Sequence, residues 1–435
     1  MSGHIYIDIT ELKNWDGHLT GVQRLVYNLA KELKEVDDRV LLCSYNPAQN
    51  IIQFEDQSYF SQNEKPRNIE AIETSKLKSK LTSIYFKIPA ETRQKIPTNT
   101  KEAIKRVGRK TIHLTHKTKL ALQSKSSKNS INIQEVKLEP NDIILIPGRL
   151  WDHQEFINYI TGYKEKVGFK LAVVIYDLVP IYQQHTFGPG LTDRYAPYIF
   201  QSVYYADLLL PISESTKSDL LRFSNEMGLK VPQVKVIRLG DDNPSAILKQ
   251  PEIGVDINKG FGICIGTIEA RKNHTLIYYA YKLAASEGVE LAPTIIIGKP
   301  GWLTDNIVYF IEHDSDVKEK IKIISNITDA EISWLYKNAL FSVYPSQYEG
   351  WGLPIAESLV YGTPVVASNT SSMKEISDLT DLISPFDSRE LMERLKYYSN
   401  KDNSFKKRQR ISKEYSSHSW KSLAKTLSRV LSSIM

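Results

Sequence analysis

The stretch Tyr344-Pro-Ser-Gln-Tyr-Glu-Gly-Trp-Gly-Leu-Pro-Ile-Ala-Glu-Ser-Leu-Val-Tyr-Gly-Thr-Pro-Val-Val-Ala-Ser368 decides the fold. An apolar run ends at Tyr344. A loop follows with Glu349, Gly350 and Gly352, and a helix is predicted to start near Leu353-Pro354, since proline suits a first helical turn. TPVVAS then reads as the next strand, so the segment is one repeat of a parallel α/β layer. Glu357 stands eight residues after Glu349, so a loop carboxylate and a helix carboxylate can face one cleft. Gly350 and Gly352 let the backbone approach a ligand closely, and the free N–H groups at a helix start suit an anion. On that spacing alone, two solvated acids beside a turn is the simpler reading.

Working outward, the same alternation fills residues 255–412. FGICIGTIE, TIIIGKP, KIKIISNIT, LFSVYPS and TPVVASN read as strands, with HTLIYYAYKLAASEG, DAEISWLYKNAL and LPIAESLVYG as helices between them. GTIEARKNH, Gly266–His274, closes the first of these strands, where open α/β sheets bind their ligands. Arg271 and Lys272 are adjacent cations beside a glycine turn and match the two charges of a diphosphate. Cations at a helix start oppose the macrodipole, a cost of a few tenths of a kcal/mol that an anion removes.

Earlier in the chain, HIYIDIT, VLLCSYN, DIILIPG, KLAVVIYDLVP, YADLLLPIS and QVKVIRLG are apolar enough to be buried strands. Val22, Leu25, Val26, Leu29 and Leu33 recur at helical spacing between the first two. A Gly- and Pro-bearing passage over Gly240–Ile257 reads as a linker. The expected organisation is a front domain over residues 1–240 with an insertion at about 60–140, a rear domain over 255–412, and a closing amphipathic helix over 413–435 that returns to the front domain.

In order and spacing, GTIEARKNH, IGKPGW (Ile297–Trp302), ITDAEISWLYKNAL (Ile327–Leu340) and YPSQYEGWGLPIAESL resemble glycosyltransferase family 4. TGVQRL (Thr20–Leu25), VIYDLVPIYQQH (Val174–His185) and ADLLLPISESTKSDL (Ala206–Leu220) resemble its branch that builds bacterial O-antigen and other surface polysaccharides. The resemblance covers nearly the whole chain outside residues 49–140. It implies the GT-B fold: two facing, doubly wound Rossmann-like α/β domains with a cleft between them. It also implies a retaining enzyme that needs no metal and no cofactor beyond its nucleotide-sugar substrate.

The resemblance assigns roles residue by residue. Arg271 and Lys272 grip the donor diphosphate beside Gly266 and Thr267. Glu349 sits at the transferred sugar, Glu357 takes the ribose hydroxyls, and backbone N–H groups from Gly350 through Gly352 to Leu353 help hold phosphate or sugar. Loops around Gly298 and Asn326 read base and sugar. Asp177 and His185, from the front domain, bind the sugar or orient the acceptor hydroxyl, while Thr20, Gly21, Arg24 and Ser213 line the acceptor side. For Arg24 a surface ion pair is an equal reading, and for Ser213 a helix N-cap is. Asp314-Ser315-Asp316 spells the acid triplet of metal-dependent transferases, but it lies in a polar, charged stretch and is read as solvated.

Composition sets the outer limits. The chain has 435 residues, 41% hydrophobic and 24% charged, which excludes collagen-like, low-complexity and wholly disordered classes. Cys43 and Cys264 are the only cysteines, too few for a disulfide framework. No leader-like opening or spanning run is read, so a cytoplasmic setting is expected. The net charge of +6 hides an asymmetry: fifteen Lys or Arg against two acids crowd Thr74–Ser130, leaving the remainder net acidic. That block reads either as a solvated insertion or as a contact with an anionic membrane at the inner face of the cytoplasmic membrane. A nucleic-acid partner is not expected, for want of interleaved aromatics.

The expected function is transfer of a hexose, first of all mannose from GDP-mannose, to a lipid-linked glycan acceptor with retention. Donors such as dTDP-rhamnose, UDP-glucose or UDP-GlcNAc stay open, as do a nucleotide-sugar epimerase on the same fold and a non-catalytic scaffold.

Overall fold

The structure, a computed structural model, describes residues 3–15, 19, 21–62, 134–242, 247–253 and 260–435. Two compact units divide the chain. One comprises Met1–Glu55 with Glu135–Met435, the other Asp56–Gln134. In the second, the described part is a short helix, Tyr59–Gln62, led in by Asp56. Thr20 and the basic stretch 74–130, with its expected amphipathic segments, lie outside the described residues.

The first unit holds two sheets. The front sheet contains β1 (Ile5–Asp8), β2 (Val40–Asn46), β3 (Ile51–Phe54), β4 (Ile143–Ile146), β5 (Lys170–Ile175), β6 (Leu208–Pro211) and β7 (Gln233–Val234), in the order β3-β2-β1-β4-β5-β6-β7. The rear sheet contains β8 (Gly262–Ile265), β9 (Thr294–Ile297), β10 (Ile321–Ile324), β11 (Phe341–Tyr344), β12 (Val365–Ser368) and β13 (Asp381–Ile383), in the order β10-β9-β8-β11-β12-β13. Every pairing is parallel except β2 with β3. In both sheets the order reverses beside the first strand, the switch point at which doubly wound sheets open a ligand crevice.

The central strands are largely apolar because helices cover both faces of a parallel sheet. Ile143–Ile146, Leu171–Ile175 and Phe341–Tyr344 are buried at every position. The helix Gly21–Val36 turns Leu25, Val26, Leu29 and Leu33 inward, as its periodicity predicts. Thr328 and Glu331 form a reciprocal capping box at the start of helix Asp329–Asn338.

Two details differ from the sequence reading. Strand β3 falls where periodicity dissolves: IIQF is held by its antiparallel ladder to β2, with Ile52 fully buried. The expected linker Gly240–Ile257 is also shorter than its composition suggests. Ile253 is already packed with Phe261 and Ile263 of the rear core, and the Lys249 N–H donates to Ala330 O at 3.1 Å.

The chain crosses between the two sheets twice, and Asp241 pins the crossings together. Its carboxylate accepts from Tyr415 OH at 2.6 Å and from the His418 N–H at 2.7 Å, while its own N–H donates to His418 O at 2.9 Å. Beyond this clasp, helix Trp420–Ser432 returns to the front half and packs along Gly21–Val36. Leu423, Ala424, Leu427 and Leu431 supply the apolar stripe. Ser428 Oγ donates to Asp37 at 2.6 Å and Arg39 to Ser432 Oγ at 2.7 Å.

Candidate active site

The C-terminal ends of β8 and β11 bring Arg271, Lys272 and Glu349 together. Asn273, in a left-handed conformation (φ 57°), donates its side-chain amide to Pro345 O at 3.0 Å and Pro385 O at 2.8 Å, tying the loops after β8, β11 and β13 to one another. The Gln347 N–H donates to Arg271 O at 2.9 Å, a second stitch between the cation turn and the carboxylate loop. Gly266 opens that turn with φ 143°, a backbone setting that side chains rarely adopt.

On this frame the Arg271 guanidinium meets Glu349 Oε2 and donates to Tyr348 O at 3.0 Å. Lys272 Nζ lies 2.7 Å from Glu349 Oε1, and Ser346 Oγ donates to the same oxygen at 2.8 Å. Glu349 is 8% exposed. Burial raises its carboxyl pKa, but Arg271 and Lys272, with the bonds from Lys272 and Ser346, outweigh it and hold the group at about 2. Glu269, also buried, reaches the other guanidinium nitrogen at 3.3 Å; burial raises its pKa against the pull of Arg271. The guanidinium itself is pushed up, with Glu349, Glu269 and Asp177 overcoming its desolvation. Two adjacent cations therefore face carboxylates that a polyanion can displace.

Glu357, one turn into helix Leu353–Val360, is buried with the same kind of precision. Oε2 accepts from Tyr336 OH at 2.9 Å. Arg24 Nη1, from the front half, stands 2.6 Å from Oε1 as an ion pair. This contact joins two residues placed on opposite sides of the cleft by the sequence reading. Glu357 raises the pKa of Arg24.

The front half contributes Asp177. It follows β5, accepts from the Val179 N–H at 3.0 Å, and lies in the electrostatic field of Arg271 and Glu349. Burial raises its carboxyl pKa against Arg271. His185 is exposed on the one-turn helix Gln184–Thr186, and the residues after it touch the rear half. Thr186 O accepts from Trp302 Nε1 at 3.1 Å, and Phe187 and Trp302 lie 5.9 Å apart. Gly21 is the first residue of the helix that carries Arg24.

Two expectations change. Ser213 is fully buried and caps helix Glu214–Glu226, with Oγ accepting from the Thr216 N–H at 3.0 Å and donating to Thr216 Oγ1 at 2.9 Å, so it is a structural cap and not an acceptor contact. Gly350 is small because of the front half: a Cβ there would lie 2.2 Å from Tyr176 O, so the close approach it permits is to protein backbone. Gly352 caps helix Leu353–Val360 with φ 111°. Gly298 closes β9 next to Gly266, while Thr267 and Asn326 are exposed on the neighbouring loops. The triplet Asp314-Ser315-Asp316 is spent on other partners, with both acids paired to Lys282 at 2.9 and 2.7 Å.

Sequence reasoning passed over Glu269, Ser346, Tyr336 and a set of bonds between the halves. Tyr348 OH donates to Asp219, and Glu375 accepts from the Glu214 and Ser215 N–H groups at 2.8 and 2.7 Å. Glu269 lay inside the quoted motif, and its nearness to Arg271 was the available signal. The others are joined only by folding.

Residues 249–418 match the family model described as glycosyl transferases group 1. The chain is 28% identical over 234 residues to an O-antigen chain mannosyltransferase B of Escherichia coli, covering 52% of this chain and 60% of that protein. It is 26% identical over 187 residues to an MMP alpha-(1->4)-mannosyltransferase of Mycolicibacterium hassiacum, covering 42% and 43%. The alignments thus span less than two thirds of these curated relatives. Among solved structures, a sucrose-phosphate synthase from Thermosynechococcus elongatus superposes with a TM-score of 0.57 at 14% identity, covering 99% of both chains. Anabaena HepE, solved with UDP and glucose, gives 0.56 at 13% identity, covering 99% of this chain and 100% of that one. The chain therefore has the GT-B fold, and its residues 249–418 match the glycosyl transferases group 1 family.

Proposed function

We propose that this protein is a retaining glycosyltransferase that moves a hexose, mannose from GDP-mannose, onto a lipid-linked bacterial surface polysaccharide or oligosaccharide. The observation that carries the reading is the pairing of Glu349 with both Arg271 and Lys272 at the end of the first rear strand. A nucleoside diphosphate leaves as a polyanion, and fixed cations at that point stabilise the charge that develops on it. Arg271 can bind two phosphate oxygens through its planar fork, and Lys272 adds a point charge. As the diphosphate takes the cations, Glu349 is released toward the sugar. Glu357, which holds Arg24 through Oε1, is the carboxylate that takes the ribose hydroxyls. Asp177 approaches the same centre from the front half, where the acceptor docks.

Mannose is favoured by two relatives, both mannosyltransferases. The acceptor is assigned from the O-antigen relative. Among the described residues no helix is long and apolar enough to cross a membrane. We assign the approach to a lipid-anchored acceptor to the basic stretch 74–130, which would meet anionic lipid at the inner face of the cytoplasmic membrane at about 1 kcal/mol per charge.

A panel of nucleotide sugars tests the reading. GDP-mannose is expected to raise the melting temperature most and to yield labelled glycan only when acceptor is present. No shift with any nucleotide sugar would refute the reading. Consumption of donor without acceptor would point instead to an epimerase on the same fold.

A further inference from the structure

Three features outside the transfer chemistry stand out: the Asp241 clasp, the seating of Glu375 on helix Glu214–Glu226, and the environment of Tyr348. The last carries furthest, because it touches the reactive groups themselves. Tyr348 immediately precedes Glu349. Its hydroxyl donates to the Asp219 carboxylate and lies 3.4 Å from Ser215 Oγ, both on helix Glu214–Glu226 of the front half. Its carbonyl accepts from Arg271 Nη1 at 3.0 Å, the nitrogen that also meets Glu349. On the far side of Glu349, Gly350 packs against Tyr176 O, and Thr216 Oγ1 bridges Tyr176 O at 3.1 Å and Gly350 O at 3.4 Å. The loop bearing Glu349 is thus fastened to the front half on both sides of that residue, after it by packing and the Thr216 hydroxyl, before it through the Tyr348 hydroxyl.

We propose that Tyr348 is a positioning residue that makes the closed arrangement of the two halves a condition for holding Arg271 and Glu349 in reactive register. This inference rests on the glycosyl-transfer reading above. When the halves part, the Tyr348 hydroxyl loses Asp219. The carbonyl that orients Arg271 then sits on a loop held only from its own side. A group that merely stabilised the loop would affect donor binding and turnover alike. A coupling group affects turnover alone, because the cations that bind the diphosphate both lie in the rear half.

The test uses the full chain and four variants: Tyr348→Phe, Asp219→Ala, Asp219→Asn and the double variant Tyr348→Phe/Asp219→Ala. Hydrogen bonds to charged groups are among the stronger ones, so Tyr348→Phe is expected to lower kcat about ten- to a hundred-fold. Its affinity for GDP and UDP by calorimetry should stay within about twofold. Asp219→Ala should fall as far, the double variant no further, and Asp219→Asn, which keeps an acceptor oxygen, should regain most of the loss. With GDP bound, small-angle scattering should show Tyr348→Phe more open than wild type. A kcat within about threefold of wild type, a parallel loss of nucleotide affinity, or additive losses in the double variant would each overturn the proposal. If wild type transferred no sugar from any donor, the glycosyl-transfer reading would fail. Scattering would still decide the coupling: identical curves for wild type and Tyr348→Phe would end it.

Discussion

Replacing Glu349 with Gln should separate binding from chemistry, and in an unusual direction. Glu349 holds Arg271 and Lys272 in its own ion pairs, so a diphosphate must take these cations from it. The strength of that hold can be read from its acidity. Its carboxyl lies at about 2 against an ordinary 4.5, a net preference for the charged form worth about 3 kcal/mol after burial has been offset. Part of this comes from Ser346, which does not compete with a ligand. The remainder opposes diphosphate binding in wild type and is absent in Glu349→Gln, which also removes a negative charge from beside the phosphates. The variant should therefore bind free GDP or UDP about ten- to a hundred-fold more tightly while losing transfer. Arg271 is not stranded, because Glu269 still faces it at 3.3 Å. Isothermal titration in matched buffer at fixed salt measures the effect, with circular dichroism to confirm folding. A folded Glu349→Gln with unchanged or weaker diphosphate affinity would refute the reasoning.

Arg271→Ala should act oppositely, weakening diphosphate binding at least tenfold in the same titration; unchanged affinity would remove Arg271 from the phosphate site. Stability should fall on acidification. Glu349 and Asp37 are both held at about 2, below their ordinary values of 4.5 and 3.8, so their contribution is complete above those values. It is lost as pH drops toward 2, visible as a falling melting temperature below about pH 5 that is blunted in Glu349→Gln. Gly240→Ala should destabilise the return of the last helix, since a Cβ there would lie 2.5 Å from Trp420 Cγ. Overpacking of this kind costs about 1–3 kcal/mol, readable in a denaturant midpoint.

Much of the frame was legible because parallel sheets write themselves as apolar runs broken by glycine loops. β8, β11 and β12 fall where those runs predict them, and the helix after Gly352 begins at Leu353. Arg271, Lys272 and Glu349 were brought to one donor site by the family resemblance, and the fold accounts for it, since β8 and β11, which precede them, are neighbours at the switch point. Periodicity could not pair Arg24 with Glu357 or Asp219 with Tyr348. Those residues belong to different halves, and their contact depends on how the halves meet. Ser213 was ambiguous for a related reason: capping and ligand binding use the same hydroxyl, and only its complete burial decides between them. Strand β3 was missed because IIQF is too short to show alternation and owes its form to β2.

The most direct test is to mix wild-type protein and Glu349→Ala with GDP-mannose and a lipid-linked glycan acceptor, then to determine the product linkage by NMR. Wild type should add a sugar that keeps the anomeric configuration of the donor, and Glu349→Ala, still folded, should add none. An inverted linkage, or undiminished transfer by Glu349→Ala, would contradict a centre built from Glu349, Arg271 and Lys272.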